Sequence, residues 1–257
     1  MAGNHIDVFV ESAKAVARGD LIKRENARDK EFHFQNWFQA RLTKLKLNFD
    51  PPGRNAYPDF RLVKDAEGYE TKGLGYPGRE VNYDCNSQVP SGRHNGRTIY
   101  YVFGRYPADP GGDEFPVLDL VLCHGDFLNA HRDYKHKNAS FTAFGSYGDI
   151  MIRDRKMYVA PTPFALTKGT ARQSTLILQN TDEADGRLRK VGHLIRTETA
   201  KLVAGYSFDM RTNRLKATLV ANPTAGRQHV FAAYRLKEAD GPTVAMAPPR
   251  LTKAVEE

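Results

Sequence analysis

Two near-continuous apolar runs, Thr98 to Tyr106 (TIYYVFGRY) and Pro116 to Cys123 (PVLDLVLC), constrain this chain more than any other feature. A strand that covers one layer alternates apolar and polar residues, because successive side chains point to opposite faces. A run without alternation has to be covered on both faces, which is the place of a central strand in a layered α/β protein. The two runs therefore predict an interior sheet with a layer on each side.

The rest of the chain supplies those layers. Ile6 to Arg18 reads as a short amphipathic helix ending at Gly19. Ala27 to Leu47 reads as a longer one, with Phe34, Trp37, Phe38, Arg41, Leu42 and Leu45 spaced by three and four, stopped by Pro51-Pro52-Gly53. Tyr57 to Val63 and Tyr69 to Leu74 read as strands joined by the polar turn Lys64 to Gly68, and a Gly/Pro/Asn-rich loop runs from Gly75 to Gly96. Asp126 to Asn138 reads as an exposed helix, and Asp149 to Ala160 as a hairpin turning at Asp154-Arg155-Lys156. Thr175 to Leu178, a hairpin through Arg211-Thr212-Asn213, and His229 to Leu236 add strands, and the proline-bearing tail after Asp240 reads as frayed. The expectation is a single domain over residues 1–257: helices in 1–50, a catalytic core over about 51–180, and a β-rich extension over about 181–240. Its class is α/β, a central mixed sheet flanked by helices with additional antiparallel strands toward the C-terminus.

Composition narrows the partners. Lys and Arg total 38 against 30 acidic residues, giving a net charge of +8 and a pI near 9.4. That is the sign a polyanion-binding protein needs, although an Arg-favouring genome would produce the same excess. The two cysteines, Cys85 and Cys123, form no Cys-x-x-Cys pair and read as buried free thiols, which leaves out a disulfide framework or a four-ligand zinc site. No apolar run approaches the ~20 residues that cross a bilayer, and the N-terminus lacks a signal-peptide pattern, so the expected compartment is the cytoplasm. Neither a phosphate-binding glycine loop nor a dinucleotide fingerprint occurs, and no nucleotide cofactor is expected.

Phosphodiester hydrolysis needs a divalent cation, carboxylates to hold it, and a group that serves the attacking water. The segment Tyr57-Pro58-Asp59-Phe60-Arg61 … Gly68-Tyr69-Glu70-Thr71-Lys72-Gly73 contains all of these. Glu70 and Lys72 lie two apart on a strand and leave the same face, while Thr71 points to the opposite layer with its carbonyl still available to a metal. Asp59 lies on the preceding strand, and a hairpin of this length returns it beside Glu70. A solvated strand face with an ordinary ion pair would look alike in isolation. Asp133-Tyr134-Lys135 and Asp154-Arg155-Lys156 carry the same Asp-x-Lys spacing, but neither has a Pro-Asp on a neighbouring strand.

Pro58-Asp59, ten intervening residues, then Glu70-Thr71-Lys72 resembles the signature of the PD-(D/E)xK nuclease superfamily, the fold of most type II restriction endonucleases. The resemblance implies a restriction-endonuclease-like fold and a catalytic triad of Asp59, Glu70 and Lys72. Asp59 and Glu70 would ligate Mg2+, and Lys72 would serve the attacking water. It also implies that an N-terminal helix carboxylate, here Glu31, completes the metal site; a carboxylate paired with a nearby Arg is the alternative. The implied activity is site-specific cleavage of double-stranded DNA by a type II restriction enzyme. A repair or junction-resolving nuclease of the same fold, and a DNA-binding module with a vestigial centre, are the alternatives. Palindromic sites would favour a homodimer, and a cognate DNA methyltransferase would be encoded nearby.

Around this centre, Gly73, Gly75 and Gly78 follow the catalytic strand and would let a DNA backbone approach. Arg54 and Arg79 flank the hairpin as phosphate contacts. Asn86, Gln88, Arg93 and His94 lie in a loop whose side chains can read base edges and which offers no structural reason for burying them. His124, His131 and His136 fit neither a zinc site nor a ββα-metal nuclease and read as part of a solvated helix.

Overall fold

The computed structural model describes residues 3–24, 32–50, 56–86, 88–130, 145–154, 157–180, 185–209, 211–212, 214–238 and 246. Helix α1 (Asn4–Arg18) buries Ile6, Phe9, Val10 and Ala13, one stripe at helical spacing. It ends at Gly19, whose φ of 74° suits a residue without a Cβ, and the Asp20 amide closes the cap on the Ala15 carbonyl. After β1 (Leu21–Lys23) comes α2 (His33–Lys44), which buries Phe34, Trp37, Phe38 and Leu42. The Trp37 indole donates to the Asp20 carbonyl at 2.9 Å, tying the second helix to the end of the first.

The strands that follow are β2 (Phe60–Arg61), β3 (Glu67–Tyr76), β4 (Asn82–Asn86), β5 (Arg93–His94), β6 (Arg97–Pro107), β7 (Glu114–Pro116) and β8 (Asp119–His124). Next are β9 (Met151–Asp154), β10 (Met157–Pro161), a one-turn helix α3 (Pro163–Leu166), β11 (Thr175–Gln179), β12 (Leu188–Thr197), β13 (Lys201–Asp209), β14 (Arg214–Ala221) and β15 (Gln228–Leu236). Eight of them form one sheet in the order β12–β15–β11–β8–β6–β3–β2, with β5 paired to the start of β6. The pairs β3/β6 and β8/β11 are parallel and the others antiparallel, so the sheet is mixed.

Both apolar runs occupy the middle of this sheet. Tyr100, Val102, Leu120 and Leu122 face α1 and α2, whereas Tyr101, Phe103, Val121 and Cys123 face the other way. That second face is covered by the small sheet β4–β10–β9, through Tyr83, Cys85, Tyr158 and Ala160, together with Phe127 and Leu166. The coarse expectation holds: an α/β protein with a central mixed sheet. The layering differs. Among the described residues the long helices lie on one face only, and strands supply most of the opposite layer.

Several boundaries also shift. The strand expected from Tyr57 to Val63 is regular only at Phe60–Arg61, extended by a single bridge between Phe49 and Leu62. The second apolar run enters the sheet only from Asp119, as Asp119–His124, and its first residue, Pro116, instead ends the short strand Glu114–Pro116 that pairs with β1. The expected exposed helix after Asp126 is, as far as residue 130, a buried 3-10 turn at Gly125–Phe127 followed by buried Leu128 and Asn129. Its polar groups are satisfied internally, with the Asn129 side chain donating to the Pro90 carbonyl and accepting from the Ser146 amide, each at 2.8 Å. Residues 131–144, with His131, His136 and the Asp133-Tyr134-Lys135 triplet, lie outside the described residues. The extension contributes β12 and β15 to the main sheet, and Met246 from the tail is buried over Gly192. Cys85 and Cys123 are both buried and free.

Gly73 and Gly104 sit side by side in the β3/β6 register and together form a socket for Phe34. A Cβ on Gly104 would fall inside the Phe34 ring, and one on Gly73 would lie 2.8 Å from the Phe34 Cβ. The missing side chain at Gly73 therefore admits the α2 helix, not DNA. A Cβ on Gly75 would meet only ordinary contact with Ala108, and one on Gly78, which has a φ of 122°, would meet open space.

Candidate active site

Pro58 packs onto the bare backbone of Gly68, where an added Cβ would lie 2.5 Å from the ring. This sets Asp59 one residue before the short β2 pairing, in which Phe60 opposes Tyr69. Beyond Tyr69 the outer edge of β3 has no strand neighbour among the described residues, so its next outward amide, that of Thr71, is open. Asp59 fills the gap: its Oδ2 accepts from the Thr71 amide at 2.8 Å and from the Thr71 hydroxyl at 2.7 Å. The Asp59 amide in turn donates to Glu70 Oε2 at 3.2 Å. Lys72 Nζ lies 2.7 Å from Glu70 Oε1. The structure thus brings together the three residues expected to carry the chemistry.

Glu70 and Lys72 share the sheet face of Tyr101, and their surroundings are apolar and aromatic. Glu70 is 8% exposed. Burial raises its carboxyl to about 7; the Lys72 ammonium opposes that shift, and the neighbouring Asp59 carboxylate reinforces it. Burial alone would lower Lys72, but the Glu70 carboxylate outweighs it and leaves the ammonium above its ordinary value. Near neutral pH, Glu70 is therefore the member of the pair whose charge is in play, and Lys72 stays protonated.

Four neighbours, Tyr57, Tyr101, Tyr83 and Cys85, carry no site signal in the sequence motif itself. Tyr57 joins its hydroxyl to that of Tyr101 at 2.7 Å, and burial followed by the Glu70 charge pushes its phenol far up. The Tyr83 ring lies 5.9 Å from Lys72 Nζ, and the Cys85 thiol is raised by burial to about 12. Thr71, expected only to offer its carbonyl, also holds Asp59 through its hydroxyl. Adjacency to Pro58-Asp59 is the one signal that could have flagged Tyr57. The others depend on which elements stack on β3.

The donor set fits a hard cation. Asp59 Oδ1 takes no protein hydrogen bond among the described residues, and the Thr71 carbonyl leaves the strand on the same edge as its amide. Two carboxylates and a carbonyl, all oxygen, suit Mg2+ that keeps several waters. Among the described residues no group of three or more His, Cys, Asp or Glu side chains could form a richer cage. Glu31 and Arg54 lie outside the described residues, and so does the side chain of Asn86.

The expected reading loop is more deeply built in than its composition suggests. Val89, Pro90, Ser91 and Gly92 are buried, and Gly92 abuts Asp126 and His124 so closely that no Cβ fits there. Gln88 turns its amide onto the Val89 carbonyl at 3.3 Å. His94 is half-buried edge-on to Tyr57, with ring centroids 4.9 Å apart, and desolvation lowers its pKa. Arg93 alone of the four is a free-standing exposed cation among the described residues. Arg79 is also exposed, but it follows the far end of β3, about 20 Å along the strand direction from Glu70. His124 is buried at the end of β8, its Nδ1 accepting from the Asp126 amide at 3.2 Å, and it is not on a solvated helix.

Comparison with known proteins finds no family model, curated protein or solved structure that matches this chain. Among the described residues no helix is long and apolar enough to cross a membrane.

Proposed function

We propose that this chain is a magnesium-dependent endonuclease acting on double-stranded DNA, of the type II restriction class and the PD-(D/E)xK kind. One observation carries the reading. Asp59, just before β2, and Glu70 on the neighbouring β3 are joined through the Asp59 amide into one acidic centre at a sheet edge, with the Lys72 ammonium 2.7 Å from Glu70 on the same face. Two like charges held together in an apolar setting are costly for folding alone, which is the usual signature of a group kept for chemistry.

Asp59, through Oδ1, and Glu70 would hold Mg2+, with the Thr71 carbonyl as a third oxygen. When bound, the ion would neutralise the scissile phosphate and supply an activated water. Lys72 has three N–H donors and spends one on Glu70, leaving two for the attacking water or a phosphate oxygen. Because its pKa is raised, it orients that water and stabilises charge without removing a proton. Tyr57, Tyr83 and Tyr101 exclude bulk water from the inner side and sharpen these electrostatics.

The experiment is digestion of phage genomic DNA with Mg2+, alongside Asp59→Ala and Glu70→Ala, with DNA binding followed separately in Ca2+. The expected result is discrete fragments from the parent protein. Each variant should lose more than about a hundredfold in cleavage rate while still binding DNA. Cleavage by Asp59→Ala at the parental rate would overturn the assignment. Preference for branched DNA would point to a junction-resolving nuclease, and uncut but bound DNA to a binding module.

A further inference from the structure

The β13–β14 hairpin pairs with no strand of the other sheets, its two strands pairing only with each other. Every described side chain of β14 is exposed, including Arg214, Lys216, Ala217, Thr218, Leu219 and Val220. An isolated two-stranded ribbon is at best marginally stable in water, so one with an entire strand exposed is unusual unless something lies against it. Its root, by contrast, is clamped. Glu198 accepts from the Asn222 amide at 3.3 Å and from the Thr224 hydroxyl, and pairs with His229 at 2.7 Å; the Asn222 amide nitrogen of the backbone reaches the Ala200 carbonyl. The ribbon is thus anchored at its root, where Leu202, Val203 and Ala204 are half-buried and Val203 packs against the core, and is uncovered along β14.

Its charge is equally one-sided. Several exposed or half-buried cations elsewhere are matched by carboxylates: Arg18 with Glu11 and Asp20, Lys23 with Glu114, Arg61 with Asp50, and Arg187 with Asp7 and Asp185. On the ribbon Lys201, Arg211, Arg214 and Lys216 have no carboxylate partner among the described residues. Asp209 is engaged by the turn, accepting from the Arg211 and Thr212 amides at 2.9 and 3.2 Å.

The sheet register says where the ribbon emerges. Glu70 aligns across the strands with Tyr101, Cys123, Ile177, Ala233 and Gly192. From that line β12 runs toward Thr197 in the direction in which β3 runs back to Glu67 and β6 back to Arg97. The ribbon therefore leaves from the sheet end that also bears Arg93 and His94. It begins five strand spacings from β3, about 24 Å at ~4.8 Å each, or roughly seven base pairs at ~3.4 Å.

We infer that the β13–β14 ribbon is a DNA-binding arm that enters the major groove of the duplex held at the candidate active site. A two-stranded ribbon fits that groove, and Arg on such a ribbon can fork onto guanine or phosphate. The inference rests on the reading of DNA as ligand, but it does not require that the site cut.

The test is binding of a short mixed-sequence duplex in EDTA across a range of salt, for the parent chain, Arg211→Ala/Arg214→Ala/Lys216→Ala, and the charge-preserving Arg211→Lys/Arg214→Lys. The triple variant should lose about two to three units of log–log salt slope, and the lysine variant should retain the parental slope. Bulky glucosyl groups in the major groove should weaken the parent at least about tenfold and the triple variant far less, whereas a minor-groove drug should leave both unchanged. Equal slopes for parent and triple variant overturn the arm, as does competition by the minor-groove drug alone. So does conversion of a dimer to a monomer with duplex binding per chain unaltered, which would make a second copy the occupant. An arm effect without cleavage in Mg2+ would refute only the nuclease reading; cleavage lost in Asp59→Ala, with arm variants binding normally, would refute only the arm.

Discussion

Glu70 makes the stability of this protein depend on pH in a direction opposite to that of most carboxylates. Its folded-state pKa is raised from 4.5 to about 7. Between those values the folded chain binds more protons than the unfolded chain, so stability falls as pH rises through the window. The stabilisation is fully present below about pH 4.5 and lost above about pH 7. A shift of about 2.5 units corresponds to about 3 kcal/mol, and Glu70 is buried deeply enough for most of that to apply. Lys72 stays protonated throughout and adds nothing in this range. The comparison is with Glu70→Gln/Lys72→Met, which removes both charges and so leaves no unpaired ammonium. Urea unfolding in EDTA at pH 5 and pH 8 should give the parent a loss larger by about 2.5 kcal/mol than that of the double variant. A difference below about 0.5 kcal/mol would mean that Glu70 ionises as it does in water, and the account of a desolvated acidic centre would fall.

Replacing Thr71 by Val removes the hydroxyl bond to Asp59 Oδ2 but keeps the backbone one, so Asp59 should hold its cation more loosely. The Mg2+ needed for half-maximal cleavage, and the affinity for Mn2+ measured by magnetic resonance, should weaken about tenfold and recover in Thr71→Ser; an unchanged metal requirement would remove Thr71 from the site. Gly104→Ala should cost at least about 1–3 kcal/mol in urea unfolding, because the new methyl falls within the Phe34 ring. Phe34→Leu in the same chain should return part of that loss, and parental stability of Gly104→Ala alone would contradict the socket.

The central strands were legible because burial on both faces leaves a mark no other element shares: TIYYVFGRY and DLVLC carry few polar residues to mislead. β12 was not, since LRKVGHLIRT is an edge strand whose charges and glycine read as loop. The turn at Gly125–Asn129 reads as an exposed helix for a related reason. Polar residues suggest exposure, yet Asp126 and Asn129 lie among groups that satisfy them, and no sequence pattern reports a partner 39 residues away. The expected triad could be read because two of its members are related by strand period and the third by one hairpin. Tyr83, Cys85 and Tyr101 approach it through long-range stacking of β4 and β6 against β3, which local spacing cannot encode. The glycines after Lys72 announced a missing side chain but not what enters the space.

The Phe34 socket has a consequence for how this sequence can drift. Three positions far apart in the chain, 34, 73 and 104, describe one volume: a large aromatic plug and two adjacent residues with no side chain. A methyl gained on either strand is tolerable only after the plug has shrunk, and a smaller plug leaves a void until a strand fills it. Viable histories therefore pass through a narrow set of orders, and the three sites should behave as a single inherited character. Gly73 follows Lys72 directly, so a slip in that character would be felt first at the ammonium.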